Sequence, residues 1–338
     1  MTNKIENALI IGLQMCLSGL ICFTLSQYYH FHEGFWSVVT VSSIARPNFS
    51  ATFIKAFLRL AGTLCGASIG FILAMQIGYS PLELFFAVLL FSTITTYIGL
   101  QTRPYNYLSV VAGFSAVIVI QSFLLNNIKA IALYRTLEVC LGIIVVAVVS
   151  WIMSKLIPRK QQLIDREAAK KIKLAFKSIH FSKADLIDSL IIGITASLTF
   201  LFWMIFRYPQ GVWVTITLFV ILENTVKGTQ EKGLVRFLGQ CFAAILGGSV
   251  AILFPNSLMI IGAVLALGFF LCGMLIGYEM KFSATGNHAG SALAIMLLAG
   301  LPNAATEVVI GRFLNVLAGI VIATFISWLV FKENNHSL

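Results

Sequence analysis

Charge is what this chain has least of. Asp, Glu, Lys and Arg make up 11% of its 338 residues, against roughly 25% in a water-soluble domain, which excludes a surface that faces water on all sides. The six cysteines (Cys16, Cys22, Cys65, Cys140, Cys241 and Cys272) all lie inside apolar runs, with no C-x-x-C pair among them. They read as small buried side chains, so neither a disulfide framework nor a zinc ribbon is expected. No G-x-x-x-x-G-K-[ST] phosphate loop occurs, and the nearest cluster, Gly228-Thr229-Gln230-Glu231-Lys232-Gly233, has the wrong order. H-E-x-x-H, G-x-S-x-G and paired-acid motifs are missing too. His30 and His32 flank a predicted external loop but lack a third ligand. The expectation is a chain that is not an enzyme and carries no cofactor or metal.

What is present is hydrocarbon. Hydrophobic residues are 59% of the chain and the mean hydropathy is +0.93, so the expected fold class is an all-α, polytopic membrane helix bundle. The net charge of +10 does not point to nucleic acid, because seven of those ten charges lie between Lys155 and Lys183. Nine basic residues there face only Asp165 and Glu167. Such a basic linker belongs on the cytoplasmic side, either as a solvated connector or as an amphipathic helix on anionic lipid.

Apolar runs long enough to span a bilayer occur at about 8–29, 58–78, 82–100, 105–125 and 130–154, and again at about 186–206, 234–254, 257–277, 284–301 and 308–331. The first is too long for a signal-peptide core and has no small-x-small cleavage site. Two shorter runs, Gly34–Ala45 and Gly211–Leu222, begin at Trp36 and Trp213. The halves are duplicates: at a shift of 177, Gly34, Trp36, Thr40, Thr52, Lys55, Arg59 and Gly62 fall on Gly211, Trp213, Thr217, Thr229, Lys232, Arg236 and Gly239 without a gap. Arg135, Gly142 and Trp151 recur as Arg312, Gly319 and Trp328. Placing the linker inside requires an even number of crossings per half, so the short runs cross too. The expected layout is two parallel six-span repeats, about twelve spans, with both termini cytoplasmic. The boundaries are 1–154 for the first repeat, 155–184 for the linker, 185–332 for the second repeat and 333–338 for a short tail. One chain supplies both halves, which fits a monomer or a homodimer.

The spacing points to a site. Lys55, Arg59, Gly62, Gly66 and Gly70 step by three or four along one helix face, and Lys232, Arg236, Gly239, Ala243 and Gly247 repeat the stripe. Small residues four apart let membrane helices approach closely, so cations on that face point into the protein and line a path. The alternative is that they snorkel to the headgroups at the cytoplasmic end. Arg135 and Glu138 share a face as a gate or a neutralising pair, while Arg312 keeps the cation and Asn315 replaces the acid. Trp36 and Trp213 either stack on a planar substrate or anchor at the interface. His288, between glycines in Gly-Asn-His-Ala-Gly, is a proton carrier or a structural histidine. The position of Arg46, beside Pro47, is taken by Glu223 in the second copy, so Glu223 joins Glu138 and His288 as a coupling candidate. Short apolar segments at matching places in two halves are a pointer to a transport site, and cations inside the bundle ask for an anion.

The motifs Gly34-Phe-Trp-Ser-Val-Val-Thr-Val, Arg46-Pro-Asn-Phe-Ser-Ala-Thr-Phe-Ile-Lys-Ala-Phe-Leu-Arg-Leu-Ala-Gly-Thr and Tyr208-Pro-Gln-Gly-Val-Trp-Val-Thr-Ile-Thr resemble the fusaric acid resistance and aromatic acid exporter family. The chain is more distantly similar to the plant aluminium-activated malate transporters, which are anion channels. The resemblance covers both hydrophobic halves and implies export of weak organic acids or drug-like aromatics across a bacterial inner membrane. Longer exporters of this kind carry large soluble regions after each set of spans, where this chain has the basic linker and a few residues after Lys332. The expected function is efflux of organic anions, aromatic by the resemblance, through secondary transport. Arg59, Arg236, Arg135 and Arg312 would attract the carboxylate, with Lys55 and Lys232 at the inner mouth. A gated anion channel and a non-transporting membrane subunit are the alternatives.

Overall fold

The computed structural model describes the chain except residues 1, 32, 47, 78–79, 104, 125–127, 158–171, 173, 279–281 and 332–338. Most of the basic linker and the 333–338 tail, like Pro47 beside Arg46, lie outside the described residues. The helices are α1 (Thr2–Tyr28), α2 (Phe35–Ile44), α3 (Phe49–Ile77), α4 (Pro81–Gln101), α5 (Tyr107–Leu124) and α6 (Ile128–Leu156). They are followed by α7 (Lys183–Phe206), α8 (Val212–Ile221), α9 (Val226–Leu253), α10 (Leu258–Gly277), α11 (Ala284–Leu298) and α12 (Ala305–Val330).

The duplication survives in three dimensions. From α2 to α6, each helix begins 177 residues before its counterpart in α8 to α12. Even the turn after the first helix of each repeat is copied: His30 and Arg207 both sit in the left-handed region, at φ 51° and 52°. One local difference is a π-helical turn at Ala244–Gly248 inside α9, where two adjacent glycines loosen the ladder.

Burial is inverted relative to a soluble protein. Leu9, Leu13, Leu17 and Ile21 expose a stripe along α1, and Leu82, Phe86, Leu90 and Ile94 do so along α4. Arg59, Arg135, Arg236 and Arg312 are meanwhile buried. Water would not tolerate that arrangement, and a bilayer requires it. Among the described residues eight helices are long and apolar enough to cross a membrane: α1, α3, α4, α6, α7, α9, α10 and α12. The chain is thus an all-α, multi-pass membrane protein. The ten residues of α2 and of α8 reach about 15 Å, half of a hydrocarbon core about 30 Å thick.

Two compact units form, and they cut across the two repeats. Unit 1 contains Met1–Leu60, Tyr134–Asp165 and Val235–Phe313, and unit 2 contains Ala61–Leu133, Arg166–Leu234 and Leu314–Leu338. In unit 1, α1 and α2 of the first repeat pack on α10 and α11 of the second. A Cβ on Gly273 would stand 2.6 Å from the Ile11 carbonyl oxygen, so α10 meets α1 backbone to backbone. Ser42 of α2 and Ser291 of α11 share a hydrogen bond of 2.8 Å. Unit 2 is built the complementary way, with α7 and α8 packed on α4 and α5.

The glycine stripes do what close-approach motifs do. In unit 2, Cβ atoms on Gly62, Gly66 and Gly70 of α3 would lie 2.7, 2.2 and 2.8 Å from the carbonyl oxygens of Leu108, Ala112 and Ala116 on α5. In unit 1, a Cβ on Gly239 of α9 would lie 2.8 Å from the Ala289 nitrogen on α11. The cysteines correct one expectation. Cys22 and Cys272 are buried, Cys16, Cys140 and Cys241 are half-buried, and Cys65 is exposed. A thiol is small and weakly polar, so it is as much at home against lipid as in a protein interior.

Candidate functional site

The site begins at the short helices. α2 is sheathed in protein, with every residue from Trp36 to Ser42 buried, and α8 is buried from Val212 to Phe219. Irregular backbone at membrane depth is tolerated only under such cover. A threonine clasps the end of each. The Arg46 N–H donates to Thr52 Oγ1 at 3.1 Å, and that hydroxyl donates back to the Arg46 carbonyl at 3.2 Å. Glu223 and Thr229 repeat the clasp at 3.0 and 3.4 Å. Both threonines are fully buried, so each side-chain hydroxyl satisfies backbone groups that the broken helix leaves open.

At the start of α2 four elements converge in unit 1. The Trp36 indole N–H donates to Glu33 Oε2 at 2.9 Å, and the Glu33 backbone N–H donates to Glu138 Oε1 of α6 at 3.0 Å. The Arg135 guanidinium carbon sits 3.6 Å above the Trp36 ring. Such a cation over an indole is worth about 2 kcal/mol when desolvated. Gly142, two turns further along α6, allows the approach, since a Cβ there would lie 2.5 Å from the Ser37 carbonyl oxygen. Arg59 of α3 repels Arg135, while Glu33 and Glu138 act on it in the opposite sense. The structure therefore brings together Trp36, Arg59, Arg135 and Glu138, and adds Glu33.

The second copy keeps the cations and loses the acids. Arg236 of α9 and Arg312 of α12, in unit 1, are buried and repel one another as Arg59 and Arg135 do. At the positions equivalent to Glu33 and Glu138 stand Gln210 and Asn315. Gln210 Oε1 accepts from the Trp213 indole at 2.9 Å, and Asn315 Nδ2 donates to the Pro209 carbonyl at 2.9 Å, both within unit 2. The indole keeps its side-chain acceptor as a neutral amide, while the second bond runs the other way, donated by Asn315 to a backbone carbonyl where Glu138 accepts from a backbone N–H. The first set is formally balanced, two cations against two carboxylates, whereas the second keeps its two cations with no acid at either position.

The remaining candidates fall elsewhere. Glu223 pairs with Lys232 and with Arg103 in unit 2, and Arg103 also donates to Asn224 Oδ1 at 2.8 Å. Its counterpart Arg46 donates to Asn287 Oδ1 on α11 at 3.1 Å. Lys55 is half-buried, and the Lys232 side chain is 43% exposed. His288, half-buried, lies on α11 against Gly239, three residues along α9 from Arg236. Sequence reasoning missed Glu33, Gln210 and Arg103. The signal for the first two was present, an acid or amide three residues before each repeated tryptophan.

The comparisons with known proteins agree with the duplication. The model described as the fusaric acid resistance protein family matches residues 13–178, and the one described as fusaric acid resistance protein-like matches residues 195–326. An uncharacterized protein of Synechocystis sp. is 38% identical over 55 residues, 16% of this chain and 7% of that protein. An uncharacterized protein of Haemophilus influenzae is 26% identical over 96 residues, 28% of this chain and 13% of that protein. The matched stretch is thus a small fraction of each curated relative. No solved structure matches.

Proposed function

Because this chain belongs to the fusaric acid resistance protein family, we propose that it exports organic anions, aromatic carboxylates first among them, across a bacterial inner membrane by secondary transport. The observation that supports this reading best is the replacement of Glu33 and Glu138 by Gln210 and Asn315 while the buried arginines are kept. A guanidinium in the middle of a membrane helix costs about 2.5–3.5 kcal/mol on insertion scales. Keeping both cations while the acids at the matching positions give way to neutral amides makes the second copy the more positive of the two, which suits attraction of an anionic substrate. Arg236 and Arg312 receive the carboxylate through charge-assisted hydrogen bonds, and Lys55 and Lys232 gather it at the inner mouth. The first set, with Glu33 and Glu138 beside Arg59 and Arg135, is the coupling element.

With the basic linker inside, each repeat makes an even number of crossings and the ends are cytoplasmic. Inside-out vesicles test the function. Labelled benzoate should accumulate against its gradient, accumulation should collapse when the proton gradient is dissipated, and Arg312→Gln should abolish it. Passive flux that follows the electrochemical gradient at channel-like rates would instead make the protein a gated anion channel.

A further inference from the structure

Unit 1 holds a cavity of about 460 Å³ where the end of α1 and the start of α2 meet the turns after α9 and α11. Three rings, Phe23, Phe31 and Phe35, line it together with the polar side chains of Ser26, Gln27 and Asn256. Among the described residues that line it there is no Asp, Glu, Lys or Arg, and His30 is its titratable group.

The other repeat shows why this space is open. Ser26 occupies the position that is Trp203 in the second copy. In unit 2 that indole is 4% exposed, packs 5.6 Å from the Phe200 ring, and has its Cδ1 2.3 Å from where a Cβ on Gly211 would be. In unit 1 the equivalent glycine, Gly34, faces the small Ser26 side chain at 2.5 Å instead. The two glycines have the same helical backbone, φ −50°, ψ −17° and φ −64°, ψ −23°. Both copies keep a glycine with a side chain of the preceding helix packed on it, the indole of Trp203 in one and the small Ser26 in the other, so the chain supplies less ring volume on that flank where the serine stands.

We propose that this cavity binds a planar, uncharged aromatic molecule. Its volume falls in the range of about 300–1,000 Å³ typical of small-molecule sites. The phenylalanine rings offer offset and edge-on stacking, and the polar side chains suit a carboxamide, a phenol or a protonated acid. A bare carboxylate would lose its hydration there without gaining a cation. The Phe35 ring also touches the Trp36 ring, at 5.0 Å between centroids, and Trp36 carries Arg135 on its face. The neutral form of an aromatic weak acid held here is two rings, Phe35 and Trp36, away from the buried guanidinium. The binding itself does not depend on the transport reading.

Saturation-transfer NMR with benzamide, on the whole protein in lipid nanodiscs and with empty discs as reference, tests the site. Wild type, Ser26→Ala and Arg312→Gln should all show saturable transfer. Ser26→Trp, which restores the residue the other repeat carries, should bind at least tenfold more weakly. Asn256→Trp, on an exposed turn where a bulky residue leaves the fold intact, should weaken binding from a second wall. In the Arg312→Gln background, benzoate at a pH where it is fully ionised should bind more weakly than benzamide. The proposal falls if wild type shows no transfer beyond empty discs, or if both tryptophan variants bind as wild type does. It falls equally if ionised benzoate is preferred in the Arg312→Gln background, or if Arg312→Gln removes benzamide binding, since no arginine lines the cavity among the described residues.

Discussion

Replacing Gly66 by alanine adds one methyl group at the tightest point of the α3–α5 contact. Its Cβ would stand 2.2 Å from the Ala112 carbonyl oxygen, where ordinary contact begins near 3.4 Å, so the backbones must part by about 1.2 Å. No side chain can rotate out of the way, because the obstacle is backbone. The separation also loosens Gly62 against Leu108 and Gly70 against Ala116, one turn to either side. Overpacking of this kind costs about 1–3 kcal/mol, and a rigid obstacle puts Gly66→Ala at the upper end, roughly a hundredfold in the folded-to-unfolded ratio. The assay is thermal unfolding in detergent followed by the monodisperse fraction on size exclusion. Cys65→Leu is the control, because its neighbouring side chain is exposed and a larger apolar group facing lipid should leave melting unchanged. Equal melting of Gly66→Ala and wild type would refute the backbone contact, as would a Cys65→Leu variant destabilised to the same degree.

Arg59→Ala and Arg236→Ala should each abolish efflux while membrane insertion is retained, as read by vesicle transport and membrane fractionation; unchanged efflux in both would remove the arginines from the site. Asn315→Glu places a carboxylate three residues from Arg312 on the same helix face, copying the Arg135–Glu138 spacing, and should cut the initial efflux rate of benzoate tenfold or more. A wild-type rate there would mean that the charge on Arg312 is not what the substrate meets. Glu223→Gln releases Lys232 and Arg103. Those pairs are partly exposed and worth about 0.2–1 kcal/mol each, so melting should fall modestly at low salt and converge with wild type at high salt. No difference at low salt would show that the pairs contribute nothing to stability.

The repeat, the all-helical membrane class and the glycine faces were legible because each is a local periodicity. Trp36, Thr40, Thr52 and Arg59 recur at a constant shift, and a helix turns such spacing into a face. What Thr52 and Thr229 do was hidden, since their bonds run to the backbone of residues on the far side of a break. Glu33 showed itself only beside its counterpart Gln210, three residues before each tryptophan, and its weight comes from Glu138, 105 residues away. Arg103 likewise sits in a turn after α4 and matters only through Glu223. Periodicity also says which face of α1 is covered without saying by which helix, so the assignment of α10 to α1 and of α4 to α7 was not readable. Cys65 shows the same limit, because an apolar run looks alike whether protein or lipid surrounds it.

The crossed partnership of α1 with α10 constrains how the molecule is made. α1 waits in the bilayer, its glycine-fitted flank bare, until α10 has been synthesised. Local contacts therefore cannot finish either compact body early, and assembly is governed by late, long-range docking. Severing the gene between the repeats and producing each piece alone would yield two fragments that each lack the partners of their own leading helices, whereas co-producing them should rebuild both bodies.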